Sequence, residues 1–318
     1  KDIGLEAFLT CESRNISTWH GHMQRARSDE LAGSRLVKRK FPRRSLQDCM
    51  EAILGASFVT GGINMALRCG SALGVDFGGC IPWESRFHLR ETSPVSFTFS
   101  RLEGALGYQF RSQRLLIEAL THPSFDNQST SSYQRLEFLG DAVLELVVVD
   151  YLYRKFPAAN SGQLSWARSR VVCAPALATV GVQRLQLHQS LLVNNFELSR
   201  EMERHVPLLQ ACSPLETVQR GWRYDPPKAL SDVFESVIGA VFVDSGYDYQ
   251  RTALVVEHVM SDLLDVLSPA VQRNPISELM EWAAAAGCLS PKRILFKSVG
   301  YLFQLATQLQ LSHSSSFK

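Results

Sequence analysis

The stretch that decides the fold runs Tyr133-Gln-Arg-Leu-Glu-Phe-Leu-Gly-Asp-Ala-Val-Leu144. It opens an apolar segment, and the pattern predicts one long helix over residues 133–156 that ends before Pro157. Glu137 and Asp141 are four residues apart, so their carboxylates lie on the same helix face. Apolar residues flank both acids, and a carboxylate on an apolar face is costly unless something neutralises it. The stretch therefore predicts a helix whose acids need a positive partner.

A second acidic pair lies in the segment Asp232-Val-Phe-Glu235-Ser-Val-Ile-Gly-Ala240. Asp232 and Glu235 are three residues apart, again on one face of a predicted helix with apolar neighbours. Packed together, the two helices would gather four carboxylates, which are the ligands that hard cations such as Mg²⁺ prefer. One or two such cations would activate water and stabilise the charge that develops on a phosphodiester. Taken singly, each acid has the alternative of being a solvated or salt-bridged surface group.

The second acidic pattern has an earlier copy in the chain. The segment Asp48-Cys-Met-Glu51-Ala-Ile-Leu-Gly-Ala56 matches the one that begins at Asp232, at an offset of 184 residues (232 − 48). Two further matches hold at the same offset: Leu46 with Leu230, and Gly62 with Gly246. Each copy has apolar residues at helical spacing and ends at a glycine, so each predicts a buried helix. The alternative is two unrelated helices that share small residues for close packing.

Composition is that of an ordinary soluble globular protein, since the 318 residues are 45% hydrophobic and 20% charged, with a mean hydropathy of −0.05. This excludes a disordered chain, a collagen and a membrane bundle, and the length allows roughly two domains. The longest apolar run, residues 143–152, is interrupted by two acids and is too short to span a bilayer. The net charge of +2 gives no overall nucleic-acid signal, so an RNA surface must come from local clustering.

The seven cysteines are scattered and form no Cys-x-x-Cys pair. This argues against a disulfide framework or a zinc site and favours a reducing compartment, either cytoplasmic or nuclear. The chain begins at Lys1 without an apolar signal segment. Because it also lacks an initial methionine, we expect it to be a piece of something longer.

Several of these segments carry a resemblance to a known family. The stretch 133–144 resembles the signature helix of ribonuclease III, and residues 227–240 resemble the second acidic helix of that family. Gln134 and the Pro-Lys pair ending at Lys228 are similar to the second ribonuclease III domain of Dicer enzymes. Three segments around the signature helix also resemble their counterparts in the family: 102–110, 118–125 and 162–171.

The resemblance implies an all-α endonuclease domain in which four acids bind Mg²⁺ or Mn²⁺ and cleave double-stranded RNA. The positions that match those acids are Glu137, Asp141, Asp232 and Glu235. Lys228 matches a lysine that Dicer-type sites use near the scissile phosphate, and the alternative is a surface lysine beside a proline turn. A further acid of the family is Gln134 here.

The resemblance also implies pairing, because the signature helix of the family packs against its counterpart across a two-fold axis. Two paired domains then cut opposite strands and leave short 3′ overhangs. We therefore expect a homodimer, or pairing with another ribonuclease III domain, and no membrane partner. The side chains expected to face the counterpart are apolar: Phe138, Leu139, Val143, Leu146 and Val147.

The implied process is small-RNA production and RNA silencing, including antiviral silencing, on duplex RNA recognised by its shape. The rival hypothesis is a non-catalytic ribonuclease III-like module that binds RNA or dimerises. Four mutually repelling carboxylates favour the enzyme, since a module without catalysis has no need to keep them.

The domain organisation follows from the repeat and the resemblance, which covers residues 101–268 strongly and residues 35–70 moderately. Asp48 and Glu51 are then half of a metal site whose partner acids are missing from this chain. The expected layout is the C-terminal half of a first ribonuclease III domain (1–75), a linker (76–100), a complete ribonuclease III domain (101–268) and an incomplete α+β double-stranded-RNA-binding tail (274–318).

Three other segments bear on the site. The run 35–44 holds six cations in ten residues, and RNA contact, nuclear localisation and a solvated loop are open alternatives. Residues 191–226 have a weaker pattern with three prolines, which predicts a partly irregular insertion. His122, in a Thr-His-Pro-Ser turn, is predicted to be a structural hydrogen-bonding residue and not a base.

Overall fold

The computed structural model describes residues 43–75, 81–86, 99–125 and 131–269. The chain divides into two compact units, residues 1–90 and 91–318. Within the described residues every regular element is helical, apart from one isolated parallel bridge between Thr121 and Leu192. The all-α prediction is confirmed for this part of the chain. The predicted RNA-binding tail, most of the linker and nearly all of the basic run lie outside the described residues.

The first unit contains helix α1, Arg43–Ala72, followed by a short 3₁₀ turn, Trp83–Arg86. The helix is broken by non-helical backbone at Gly61 and Gly62, and the φ of +65° at Gly62 favours glycine. The sequence predicted a buried helix here, which is wrong for this structure. Asp48 and Glu51 are exposed, and so is Val59, at 56%. Among the described residues of this unit, no other helix covers the apolar side chains of α1, and the one further regular element there is the short 3₁₀ turn.

Helix α1 contains a long apolar segment that the sequence analysis did not point out. By length and composition alone, Leu46–Ala72 is apolar enough to cross a membrane, with a mean hydropathy of 1.3 over its best window. The sequence had pointed to residues 143–152 instead, because small polar residues interrupt the run in α1. The break at Gly61 and Gly62 divides α1 into two pieces, and each is shorter than the ~20 residues that a spanning helix needs.

The second unit is a bundle of ten helices within its described residues. In chain order they are α2 Ser100–Leu106, α3 Gln113–Ala119, α4 Gln134–Lys155, α5 Ser161–Val171, α6 Ala174–Gln183, α7 Leu187–Ser190, α8 Phe196–Ala211, α9 Pro214–Arg220, α10 Ala229–Asp244 and α11 Tyr249–Asp265. A 3₁₀ turn, Gly221–Arg223, joins α9 to the segment before α10. The long helix predicted over residues 133–156 is confirmed as α4.

The helix starts of this unit follow ordinary capping chemistry. Asn160 and Gln163 form a reciprocal capping box at α5, in which each side chain accepts a hydrogen bond from the other residue's backbone N–H. The segment predicted as a partly irregular insertion is helical over most of its length, since it forms α8 and α9. Asn195 and Ser213 cap these two helices, and Pro214 stands at the first turn of α9, where no backbone N–H is needed.

The core is built around α10, almost all of whose residues are buried. It packs chiefly on α4 and α6. The contact with α4 brings two backbones together, because a Cβ atom at Gly140 would lie 1.8 Å from the Glu235 carbonyl oxygen, and one at Gly239 would lie 2.2 Å from that of Leu136. These two glycines therefore allow an approach that any side chain would block.

The outer face of α4 differs from the face predicted for pairing. Val143 and Val147 are buried in the core, at 7% and 1% exposure, so their assignment to a partner surface is wrong. Phe138 and Leu146 do lie exposed, and Val149 and Tyr153 extend the same stripe. The reason is that α4 is apolar over most of its circumference, so residue type alone does not show which side α10 covers.

Candidate metal centre

Three carboxylates meet where α4 and α10 cross. Glu137 comes from the first turn of α4, and Asp232 and Glu235 come from the first two turns of α10. Each offers one oxygen, and these oxygens all lie within 4.8 Å of one another. Asp232 is buried, whereas the other two acids are half-buried. The Gly140–Gly239 contact sets this spacing, since it fixes the separation of the two helix backbones.

Asp141, the fourth predicted acid, stands at the edge of this cluster. Its side chain is exposed, and it is not among the acids whose oxygens lie within 4.8 Å of one another. It is still close enough for its charge to act on Glu235. The structure therefore brings three of the predicted acids into one cluster and leaves the fourth beside it.

Burial and like charge make the cluster electrostatically strained. Burial, followed by the negative charges of Asp141, Asp232 and Glu137, raises the pKa of Glu235 to about 7. Burial also raises the pKa of Asp232, although the hydrogen bond from Lys228 opposes that shift. Carboxylates crowded in this way bind a cation favourably, because it removes the repulsion and restores the charged forms.

The positive partner in the structure is Lys228, which immediately precedes α10. Its Nζ donates hydrogen bonds to Glu137 Oε1 at 2.8 Å and to Asp232 Oδ1 at 2.5 Å. Burial alone would lower the pKa of Lys228, but the hydrogen bonds to Asp232 and Glu137 outweigh it and raise that pKa. The side chain remains 73% exposed, so the ammonium lies on the open side of the cluster.

Comparison with known proteins identifies the family. Residues 134–246 match the family model described as the ribonuclease III domain. The chain is 32% identical over 301 residues to the protein Dicer of Schizosaccharomyces pombe and 31% identical over 253 residues to the endoribonuclease Dicer homolog 4 of Oryza sativa subsp. japonica. These alignments cover 90% and 77% of this chain. The chain carries a ribonuclease III domain of the Dicer family.

Two further relatives complete the comparison. The Dicer-like protein 2 of Aspergillus fumigatus is 29% identical over 351 aligned positions that cover 97% of this chain. The solved nuclease domain of ribonuclease III from Campylobacter jejuni is 30% identical and covers 52% of this chain and 98% of its own, with a TM-score of 0.39. The chain spans only 22%, 15% and 25% of the three Dicer relatives, in the order given.

A groove of about 580 Å³ opens beside the acids of this ribonuclease III domain. His122 lines it, and its Nδ1 accepts a hydrogen bond from the Ser124 backbone N–H at 3.0 Å. Ser124 Oγ lies 2.8 Å from the same nitrogen and accepts a bond from the Asn194 N–H at 3.0 Å. The ring also packs edge-on against Tyr133. His122 is therefore hydrogen-bonded as predicted, and its not acting as a base stays a prediction.

Helix α8 supplies the opposite wall of the groove, which the sequence analysis missed. Glu197, Glu201 and His205 are spaced by four residues, so they share one face of α8, and all three line the groove. The four-residue spacing of these side chains indicates one face of a helix, but the prolines of the segment favoured irregular structure. Tyr133 was missed as well. Tyr133 lines the groove together with Asp232, and burial, then the negative charges of Asp232 and Glu137, raise the pKa of its phenol.

The predicted half-site lies in the other unit. Asp48 and Glu51 are exposed on α1, and neither joins a group of metal-binding side chains among the described residues. A Cβ atom at Gly55, which matches Gly239 in the repeat, would meet nothing within 4 Å. In this structure α1 therefore has the acidic pattern without the close helix contact that gathers acids in the ribonuclease III domain.

Proposed function

We propose that this domain is an endoribonuclease that hydrolyses phosphodiesters of double-stranded RNA with the help of a divalent cation. The observation that carries the proposal is the cluster of Glu137, Asp232 and Glu235, whose oxygens lie within 4.8 Å of one another. The donor set is entirely carboxylate oxygen, which suits Mg²⁺ or Mn²⁺ and not a soft metal. The family match to ribonuclease III supports the same reaction.

The four acids take two positions around the cation in this proposal. Glu137, Asp232 and Glu235 would hold the cation, and Asp141 would bind from the exposed edge of the cluster. When bound, the cation supplies an activated water and stabilises charge on the phosphodiester. The raised pKa of Glu235 favours this assignment, since a positive ion is what returns that carboxyl to its charged form.

Lys228 would bind the RNA at the scissile phosphate. Its ammonium lies at the open side of the acids on a largely exposed four-carbon stem, so it can reach a phosphate oxygen above the cluster. The surface-lysine alternative does not account for its two hydrogen bonds to site acids. Duplex RNA would be recognised by its A-form shape, through phosphates and 2′-hydroxyls.

We also infer pairing of the domain through α4. The exposed stripe on this helix consists of apolar side chains: Phe138 at 84% exposure, Leu146 at 38%, Val149 at 43% and Tyr153 at 54%. Large exposed apolar surfaces mark association sites. A homodimer, or pairing with another ribonuclease III domain, would cover the stripe and place two acidic clusters on one duplex.

The wider role proposed is small-RNA production and silencing inside the cell, in the cytoplasm or the nucleus. The support is the similarity to proteins named Dicer and endoribonuclease Dicer homolog. The layout of a partial first ribonuclease III domain (1–75), a linker (76–100), a complete domain (101–268) and an RNA-binding remnant (274–318) remains part of this proposal. So does an orphan half-site at Asp48 and Glu51.

A cleavage assay on duplex RNA tests the proposal. We expect cutting with Mg²⁺ or Mn²⁺ and none with EDTA, because the acids alone repel a phosphodiester. Single-stranded RNA of the same sequence is the matched substrate control and should remain intact. A protein that binds the duplex but never cuts it at saturating metal would instead be the non-catalytic module.

A further inference from the structure

Lys228 pairs with one oxygen of each of two acids that would hold a divalent cation. Nζ lies 2.8 Å from Glu137 Oε1 and 2.5 Å from Asp232 Oδ1, which belong to two of the three clustered acids. Magnesium binds its oxygen ligands at about 2.0–2.1 Å. An ion shared by these two oxygens would therefore overlap the position of the ammonium, or lie so close that the two positive charges repel strongly. Lys228 must leave these oxygens before both can bind such an ion.

The two sides of this contact differ in mobility. The acids are held by their helices, with side chains only 22% exposed for Glu137 and 10% for Asp232, whereas the Lys228 side chain is 73% exposed. The Lys228 backbone is fixed, since its carbonyl accepts hydrogen bonds from the N–H groups of Ser231 and Asp232 at 2.9 and 3.0 Å. Only the flexible stem has to move for the ammonium to swing out.

We propose that Lys228 is an exchangeable internal counter-ion of the metal site. Its ammonium offsets part of the negative charge of Glu137 and Asp232 in the metal-free protein and competes with the divalent cation for them. On release it becomes available to an RNA phosphate. This inference rests on the metal site of the proposed function and adds a competition that a lysine reserved for phosphate would not show.

The competition at Lys228 couples the binding of RNA to the binding of metal. A phosphate that pairs with Lys228 withdraws the ammonium from the acids and so favours metal binding. By linkage, bound metal favours RNA binding to the same degree. One side chain thus couples the two ligands and reduces the repulsion between the acids when neither ligand is present.

The test is direct titration of Mn²⁺ into the whole chain without RNA, followed by electron paramagnetic resonance. Each exposed ion pair is worth up to about fivefold in an equilibrium constant, so removing the competitor should tighten Mn²⁺ binding by about tenfold. Lys228→Met keeps the length of the side chain and removes its charge, and Lys228→Gln is a second neutral variant in case the first folds poorly. Lys228→Arg keeps the charge and should bind Mn²⁺ like the unaltered protein.

A remote variant controls for net charge. Arg101→Met removes one exposed cation from α2 and should leave Mn²⁺ affinity within about twofold. If the neutral Lys228 variants bind Mn²⁺ no tighter than the unaltered protein, or if neither binds it, the competition does not exist. Duplex cleavage is scored separately. If the unaltered protein cuts the duplex but the neutral Lys228 variants bind Mn²⁺ no more tightly, only this inference is overturned. If those variants bind Mn²⁺ more tightly but the unaltered protein never cuts the duplex, only the proposed function is overturned.

Discussion

Two helices of this chain carry one acidic pattern in opposite surroundings. In α10 the acids Asp232 and Glu235 are buried or half-buried, and Gly239 contacts the backbone of α4. In α1 the matching acids Asp48 and Glu51 are exposed, and a Cβ at Gly55 would meet nothing within 4 Å. The pattern specifies a helix in both places. Only the close contact with a second acid-bearing helix turns it into a cluster.

Removing an acid from the cluster on α4 and α10 should have the largest effect. We expect Glu137→Gln or Asp232→Asn to lower duplex cleavage by at least about a hundredfold, because each removes a proposed metal ligand. Duplex binding should change far less than cleavage, since affinity comes mainly from cations that contact phosphates. Cleavage and binding are measured side by side on the same duplex. Full activity in either variant would remove that acid from the site.

The two matched glycines give the next largest difference, this time in stability. Gly239→Ala should lower the free energy of unfolding by roughly 3 kcal/mol, because its Cβ would lie 2.2 Å from the Leu136 carbonyl oxygen. Gly55→Ala should raise it by about 0.5–1 kcal/mol, since alanine suits an open helix position better than glycine does. Denaturant unfolding of both variants measures the contrast. Equal effects would mean that both helices pack in the same way.

Much of this fold was predicted from the sequence, and there are physical reasons why the remaining features were not. Helix α4, helix α10 and the meeting of Glu137 with Asp232 and Glu235 follow from acid spacing and the family signature. The burial of α1 was predicted wrongly, because an apolar helix pattern does not show whether a partner covers it.

Side-chain direction was the harder part of the site. The pattern did not show that Val143 faces the core while Phe138 is exposed, since α4 is apolar on most sides. Nor did it show that Lys228 pairs with two acids. That contact depends on how closely α4 and α10 approach, which is set by glycines in both helices.

The pH dependence of stability separates the buried acids from the exposed ones. The pKa of Glu235 is raised from 4.5 to about 7, so the folded protein retains a proton that the unfolded chain releases. Stability is therefore lost as the pH rises through this interval. In EDTA, Glu235→Gln should raise the melting temperature by roughly 4 °C at about pH 8 and by about 1 °C or less at about pH 5.

The matched control for this prediction is on the other acidic helix. Glu51→Gln changes an exposed acid on α1 in the same way and should give no difference between the two pH values. Thermal unfolding followed by circular dichroism measures all three proteins. A pH-independent gain from Glu235→Gln would mean that packing and not charge is responsible, and saturating Mg²⁺ should erase the gain by stabilising the carboxylate.

The smallest effect is expected from the half-site itself. Two carboxylates leave a divalent ion mostly hydrated and weakly held, since Mg²⁺ gives up its waters reluctantly. Asp48 and Glu51 are exposed, and no third acid joins them among the described residues. Asp48→Asn with Glu51→Gln should therefore leave duplex cleavage by the 318-residue chain within about twofold.

The same pair of changes at Asp232 and Glu235 is the positive control and should abolish cutting. A large loss from the α1 double variant would show that its acids work in a complete site, which would then have to take its remaining carboxylates from another chain. In that case α1 and α10 would differ in whether their partner acids come from another chain or from this one, and not in whether they can form a working site.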